Sequence, residues 1–224
     1  MAYMVDQSLN YNEELYRSSA LKIPAKIISY VLHPLFIPSY IFFWLTQRFP
    51  IQFNDLTTAG LTLKTVSVFL NASFFPAFAV FLLWRLKFIE SIFLRTQKDR
   101  IIPYIITMIF YWWLWYLSRN FTDQPDVLKS FYFGIFLNTV FGLVINNFIK
   151  ISMHAMGAGT MLAFLILTCA RYQIFLGADI MIATFLCGLI CTSRLLLNQH
   201  SSAEIYAGLI VGALAQLLGL WIAL

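Results

Sequence analysis

Three polar clusters interrupt an otherwise apolar chain, and each carries groups suited to handling a phosphate ester. The most informative is Ser193-Arg194-Leu-Leu-Leu-Asn-Gln-His200-Ser-Ser-Ala-Glu204. If residues 202 onward are helical, His200 and Glu204 fall about one turn apart and their side chains can meet. A helix start also presents free backbone N–H groups and a partial positive charge that favour an anion. The second cluster is Lys150-Ile-Ser152-Met-His154, and the third runs from Arg85 to Arg100 with Lys87, Glu90, Arg95, Lys98 and Asp99 between them. Each group also has a purely structural reading. Ser201-x-x-Glu204 is a capping box, Arg194 can extend to lipid head groups from a helix end, and His200 can be an unpartnered loop residue.

Cleavage of a phosphate ester by a histidine nucleophile asks for four things. One imidazole attacks phosphorus, and a carboxylate on its other nitrogen fixes the tautomer. A second acid protonates the leaving oxygen. Cationic side chains and N–H groups hold the remaining oxygens as charge develops. His200, Glu204 and His154 fill the first three roles, and Arg194, Ser152, Arg100 and Lys98 the fourth. This chemistry requires no metal and no cofactor.

The elements that must position these groups are membrane helices. The chain has 224 residues, of which 60% are hydrophobic and 11% charged, against roughly 25% charged in soluble domains. Apolar runs recur along its length, so the expected fold is all-α, a polytopic bundle of about six to seven transmembrane helices. Spans are expected at about 27–47, 65–84, 102–118, 128–149, 155–170, 180–197 and 203–223. Proline interrupts the second at Pro76 and opens the third at Pro103. His33-Pro34 lies inside the first, where a proline bend gives the imidazole a structural role. The run Tyr-Trp-Trp-Leu-Trp-Tyr at 111–116 marks a membrane interface. Asn71-Ala-Ser is a glycosylation sequon discounted because it lies within a span. Cys169, Cys187 and Cys191 read as small buried residues, and Gly208-x-x-x-Gly212 as a close helix–helix contact. Two spans separate each polar cluster from the next, so all three emerge on one membrane face.

At these residues the chain resembles the type 2 phosphatidic acid phosphatase superfamily, whose members work through a phosphohistidine. The motif S-R-x-x-x-x-x-H-x-x-x-D is matched by Ser193, Arg194 and His200, with Glu204 in place of aspartate. The resemblance implies that His200 is the nucleophile, Arg194 a phosphate ligand and Glu204 the orienting carboxylate. The motif P-S-G-H aligns with Ile151-Ser152-Met153-His154, keeping Ser152 and His154, and implies leaving-group protonation by His154. The motif K-x-x-x-x-x-x-R-P is not reproduced; Arg95, Lys98 and Arg100 before Pro103 are its nearest substitute. The resemblance covers about residues 95–212.

The expected organisation is one integral membrane domain over 1–224, with a polar lead-in at 1–25 and no cleavable signal peptide. The expected substrate is a lipid phosphate or diphosphate, with membrane lipids as surroundings and no nucleic-acid partner. A homo-oligomer or a membrane-complex partner is compatible with the glycine face. The alternative is a catalytically silent relative that binds anionic lipid or scaffolds a complex; a transporter finds little support, since acidic residues are nearly absent from the spans. The expected location is a bacterial cytoplasmic membrane. Basic residues crowd the motif face, which the positive-inside rule would make cytoplasmic, whereas the family resemblance implies the periplasmic side.

Overall fold

The first apolar segment does not run straight, and the residues at its break explain why. Helix α1 (Ser19–Val31) stops just before His33, which caps a short 3-10 turn (Pro34–Phe36), and α2 (Ile37–Arg48) resumes the path. Pro34 has no N–H to continue the helix, and the residue before a proline is pushed out of the helical region. His33 takes an extended conformation, and its Nδ1 accepts the N–H of Leu35 at 3.3 Å. The structural role expected of His33 is thus present.

The computed structural model describes residues 19–120 and 124–223. Most of the polar lead-in, and part of the loop expected at 119–127, lie outside the described residues. After α2 a 3-10 turn (Pro50–Phe53) leads to α3 (Thr58–Phe69), a π turn (Leu70–Phe74) and α4 (Phe75–Arg85). The remaining helices are α5 (Gln97–Arg119), α6 (Asp126–Asn146), α7 (Met153–Tyr172), α8 (Gly177–Leu196) and α9 (Ser202–Ala223). No strand occurs among the described residues. Among the described residues, seven helices or near-continuous helix pairs are long and apolar enough to cross a membrane, and the fold is an all-α polytopic bundle.

Several boundaries differ from the apolar runs because caps, not hydrophobicity, set them. Thr57 Oγ1 accepts the Gly60 N–H at 3.1 Å, so α3 starts at Thr58 instead of residue 65. Thr96 Oγ1 accepts the Asp99 N–H at 3.1 Å. Helix α5 therefore begins at Gln97, and Pro103 lies inside it instead of opening it. Pro76 does not end its span either. Its missing N–H frees the carbonyl four residues earlier, the chain widens into a π turn there, and Tyr111 of α5 reaches the Ala72 carbonyl at 3.5 Å.

Packing concentrates on the C-terminal helices. Helix α9 lies along both α7 and α6, α5 lies along α6, and α1 packs on α8. The glycine face of α9 makes the first contact close: a methyl at Gly208 would stand 2.9 Å from the Ser152 carbonyl, and one at Gly212 would overlap the Met156 carbonyl. At the far end of α5, exposed Trp112, Trp113 and Tyr116 stack with one another, as an interfacial belt would. All three cysteines are unpaired.

Candidate functional site

Each helix start near the clusters is built by the same local device, a hydroxyl capping a free N–H. Ser152 caps α7 by accepting the Ala155 N–H at 3.4 Å. Ser201 accepts the Glu204 N–H at 3.3 Å, while Glu204 Oε2 accepts the Ser201 N–H at 3.1 Å. That is the capping box expected from the sequence, and its carboxylate has a second task. Glu204 Oε2 also lies 2.9 Å from His200 Nδ1. The structural and functional readings of Glu204 therefore coexist in one oxygen atom.

The ring of His200 is held twice at Nδ1, by Glu204 and by the Lys150 carbonyl at 3.1 Å. Both partners are acceptors, so the proton sits on Nδ1 and the lone pair on Nε2. His200 lines a cavity of about 450 Å³ together with His154, Arg194, Arg100 and Met153. Burial lowers its pKa to about 4; the Glu204 hydrogen bond opposes the shift, and the Arg100 and Arg194 guanidiniums add to it. At neutral pH the imidazole is uncharged, and Nε2 carries the lone pair that nucleophilic attack would require.

Two buried arginines give the cavity its character. Arg100 is only 4% exposed and donates from Nε to the Leu94 carbonyl and from Nη1 to the Ile151 carbonyl, each at 2.9 Å. It thereby ties the α4–α5 loop to the segment before α7. Arg194 is 9% exposed; its Nη1 donates to Ser29 Oγ at 3.1 Å, and its Nε has no partner among the described residues. Neither guanidinium forms an ion pair with a carboxylate among the described residues. An unpaired buried ion costs on the order of several kcal/mol, so two side by side make a strong electrostatic demand for an anion. Exposed Lys26 and Arg95 line the same cavity. Lys150 lies between α6 and α7, and its pKa is lowered by partial burial first and by Arg100 next.

His154 stands against the first span. Its Nε2 donates to the Ser29 carbonyl at 3.1 Å, leaving Nδ1 as the basic nitrogen. Its ring meets that of His33 edge-on, with centroids 5.0 Å apart. Ser29 is the residue that sequence reading missed: its carbonyl holds His154, and its hydroxyl meets Arg194 and, at 3.1 Å, Ser193 Oγ. A lone serine in an apolar helix gives no signal without its partners.

The structure thus brings His200, His154, Arg194 and Arg100 around one cavity, with Glu204 behind His200. The other expected residues stand elsewhere. Ser152 is fully buried as the α7 cap, and Ser193 donates to the Ile190 carbonyl at 2.7 Å in the α1–α8 contact. Lys98 is exposed on the first turn of α5, outside the cavity wall; Arg95 and Lys26 occupy the rim instead. Helix geometry explains the exchange, because Lys98 lies two residues from Arg100 and so points away from it. Among the described residues, no group of three or more His, Cys, Asp or Glu side chains is placed to hold a metal ion. No protein-family model, curated protein or solved structure matches the chain.

Proposed function

We propose that this membrane protein is a phosphatase acting on a lipid phosphate or diphosphate through a histidine nucleophile, as its resemblance to the type 2 phosphatidic acid phosphatases implies. The observation that carries this reading is the placement of His200. Its Nδ1 is anchored on Glu204, and it lines the cavity that two unpaired buried arginines also line. Phosphate oxygens would pair with Arg194 and Arg100. In the first step the Nε2 lone pair forms a bond to phosphorus, and the bond from phosphorus to the leaving oxygen breaks. That oxygen takes a proton from His154 Nδ1, which acquires it from the phosphate as its monoanion binds, while Nε2–H stays on the Ser29 carbonyl. Glu204 stabilises the phosphorylated imidazolium. Water then attacks phosphorus, returns a proton to His154, and the P–N bond breaks to release phosphate.

A second reading, binding of anionic lipid head groups without turnover, has one observation in its favour. Met153 places a side chain in the cavity wall where the resembling family carries glycine. The two readings separate in one experiment, with detergent-solubilised protein given a polyprenyl diphosphate, phosphatidate or phosphatidylglycerol phosphate. Phosphate release by the native protein, lost in His200→Ala and insensitive to EDTA, is the expected result. Equal release by both proteins would sink the assignment, and tight lipid binding without release would favour the silent binder. A bacterial cytoplasmic membrane is the proposed setting.

A further inference from the structure

Below the cationic cavity lies a second, apolar one of about 260 Å³, and the two share walls. His33, Ile92, Leu94, Met153 and His154 line both. The inner cavity is bounded by the turn after α1 and by α2, α4, α5, α6 and α7, with Val80, Ile135 and Gly157 among its walls, and it opens to the bundle surface beside exposed Ala77 and Ile92. Its wall is mostly apolar; Asn138, whose buried Oδ1 has no partner among the described residues, adds one polar group, and the threonines add little. The hydroxyls of Thr107, Thr139 and Thr160 donate to carbonyls three or four residues earlier in their own helices, at 2.7 to 3.0 Å. Such back-bonding spends the hydroxyl locally and leaves the methyl to face outward. Gly157 lets Ile37 and Pro34 pack closely on α7, where a methyl would stand 2.8 Å from Ile37.

We infer that the inner cavity holds the hydrocarbon chain of the lipid phosphate, threaded past the His33–His154 pair, and that it takes one chain only. This rests on the phosphatase reading for the anion end of the site. A phosphate held by Arg194 and Arg100 places the next atoms of its ester at the two imidazoles, where polar lining gives way to apolar. Size sets the chain count: an apolar cavity of about 150 Å³ accepts a six-carbon ring, so this one holds on the order of ten carbons. A diacyl lipid would have to leave its second chain outside while its glycerol branch crossed the histidine pair. Single-chain phosphates of the alkyl or prenyl type fit without that branch.

A non-hydrolysable decyl phosphonate with a diazirine at the far end of its chain tests this without relying on turnover. Irradiation of the full-length protein in detergent should label Ala77, Val80, Ile135 or Thr139. Unlabelled decyl phosphate should compete at least tenfold better than a diacyl phosphatidate. Ala77 is an exposed residue of the cavity wall, so Ala77→Trp can fill the cavity without crowding a packed core, and it should abolish the inner labels. Val80→Phe serves as a second block if the first fails to fold. Labelling only on the outer surface of the bundle, or equal competition by phosphatidate, overturns the inference. Phosphate release without inner labelling would sink this inference and leave the phosphatase reading intact. Inner labelling without release would do the reverse.

Discussion

Glu204 Oε2 accepts from His200 Nδ1 at 2.9 Å and from the Ser201 N–H at 3.1 Å. One carboxylate therefore starts a helix and fixes an imidazole. Glu204→Gln keeps an acceptor for the backbone N–H but loses the charge that stabilises an imidazolium. Turnover should fall by about 10²- to 10⁴-fold, with circular dichroism unchanged. Glu204→Ala should lose the same activity and also cost about 1 kcal/mol through the cap. A Gln variant with near-native turnover would reduce Glu204 to a cap.

The two buried arginines should respond differently to removal. Among the described residues the Arg194 guanidinium meets one hydrogen-bond partner, Ser29, so Arg194→Leu should preserve or raise thermal stability while abolishing the stabilisation given by phosphate or vanadate. Arg100 satisfies two backbone carbonyls, and Arg100→Leu should destabilise by about 1–3 kcal/mol for each acceptor left unpaired. Thermal unfolding in detergent, with and without the anion, measures both. Arg194→Lys should not rescue binding, because an ammonium lacks the planar fork.

Acid should silence the protein later than an ordinary histidine would allow. The reactive form of His200 is neutral, and its value in the folded protein is about 4 against 6.5 for a free side chain. Activity limited by His200 should therefore hold as pH falls below 6.5 and decline only near pH 4. The stability linked to His200 follows the same sign: it is fully present above pH 6.5 and lost as pH falls toward 4. A pH–rate profile whose acid limb falls at 6.5 and is unmoved in Glu204→Gln would contradict this.

Close contact of α9 with α7 should be as necessary as any polar group. A methyl at Gly212 meets the Met156 backbone carbonyl, which cannot swing away like a side chain. Gly212→Ala should cost about 1–3 kcal/mol and lower turnover, because the Ser152 N–H to Glu204 carbonyl contact at 3.4 Å holds the two helix starts in register. Gly188→Ala is the matched control, since a methyl there meets nothing within 4 Å.

The sequence makes the bundle legible because membrane spans announce themselves by composition, and parity then places the polar clusters on one face. His200, Glu204, Arg194 and His154 were legible for a related reason: charged and imidazole groups are costly beside a bilayer and so stand out. What stayed hidden was carried by residues of ordinary type. Ser29 gains its meaning from three side chains more than 120 positions away. The inner cavity is bounded by alanine, valine, isoleucine and back-bonded threonine, whose identities say nothing about the space between them. Lys98 stands outside the cavity wall because a residue two positions from Arg100 on α5 faces another side of the helix.

Ser29 lies in α1, yet its hydrogen bonds are completed by His154, Ser193 and Arg194 from helices more than 120 positions further along the chain. A nascent chain that has inserted α1 alone thus holds only a fragment of this arrangement, and α9 must still arrive to set Glu204 behind His200. The arrangement around His200 is therefore a property of α1, α7, α8 and α9 together, and no one of them carries it alone.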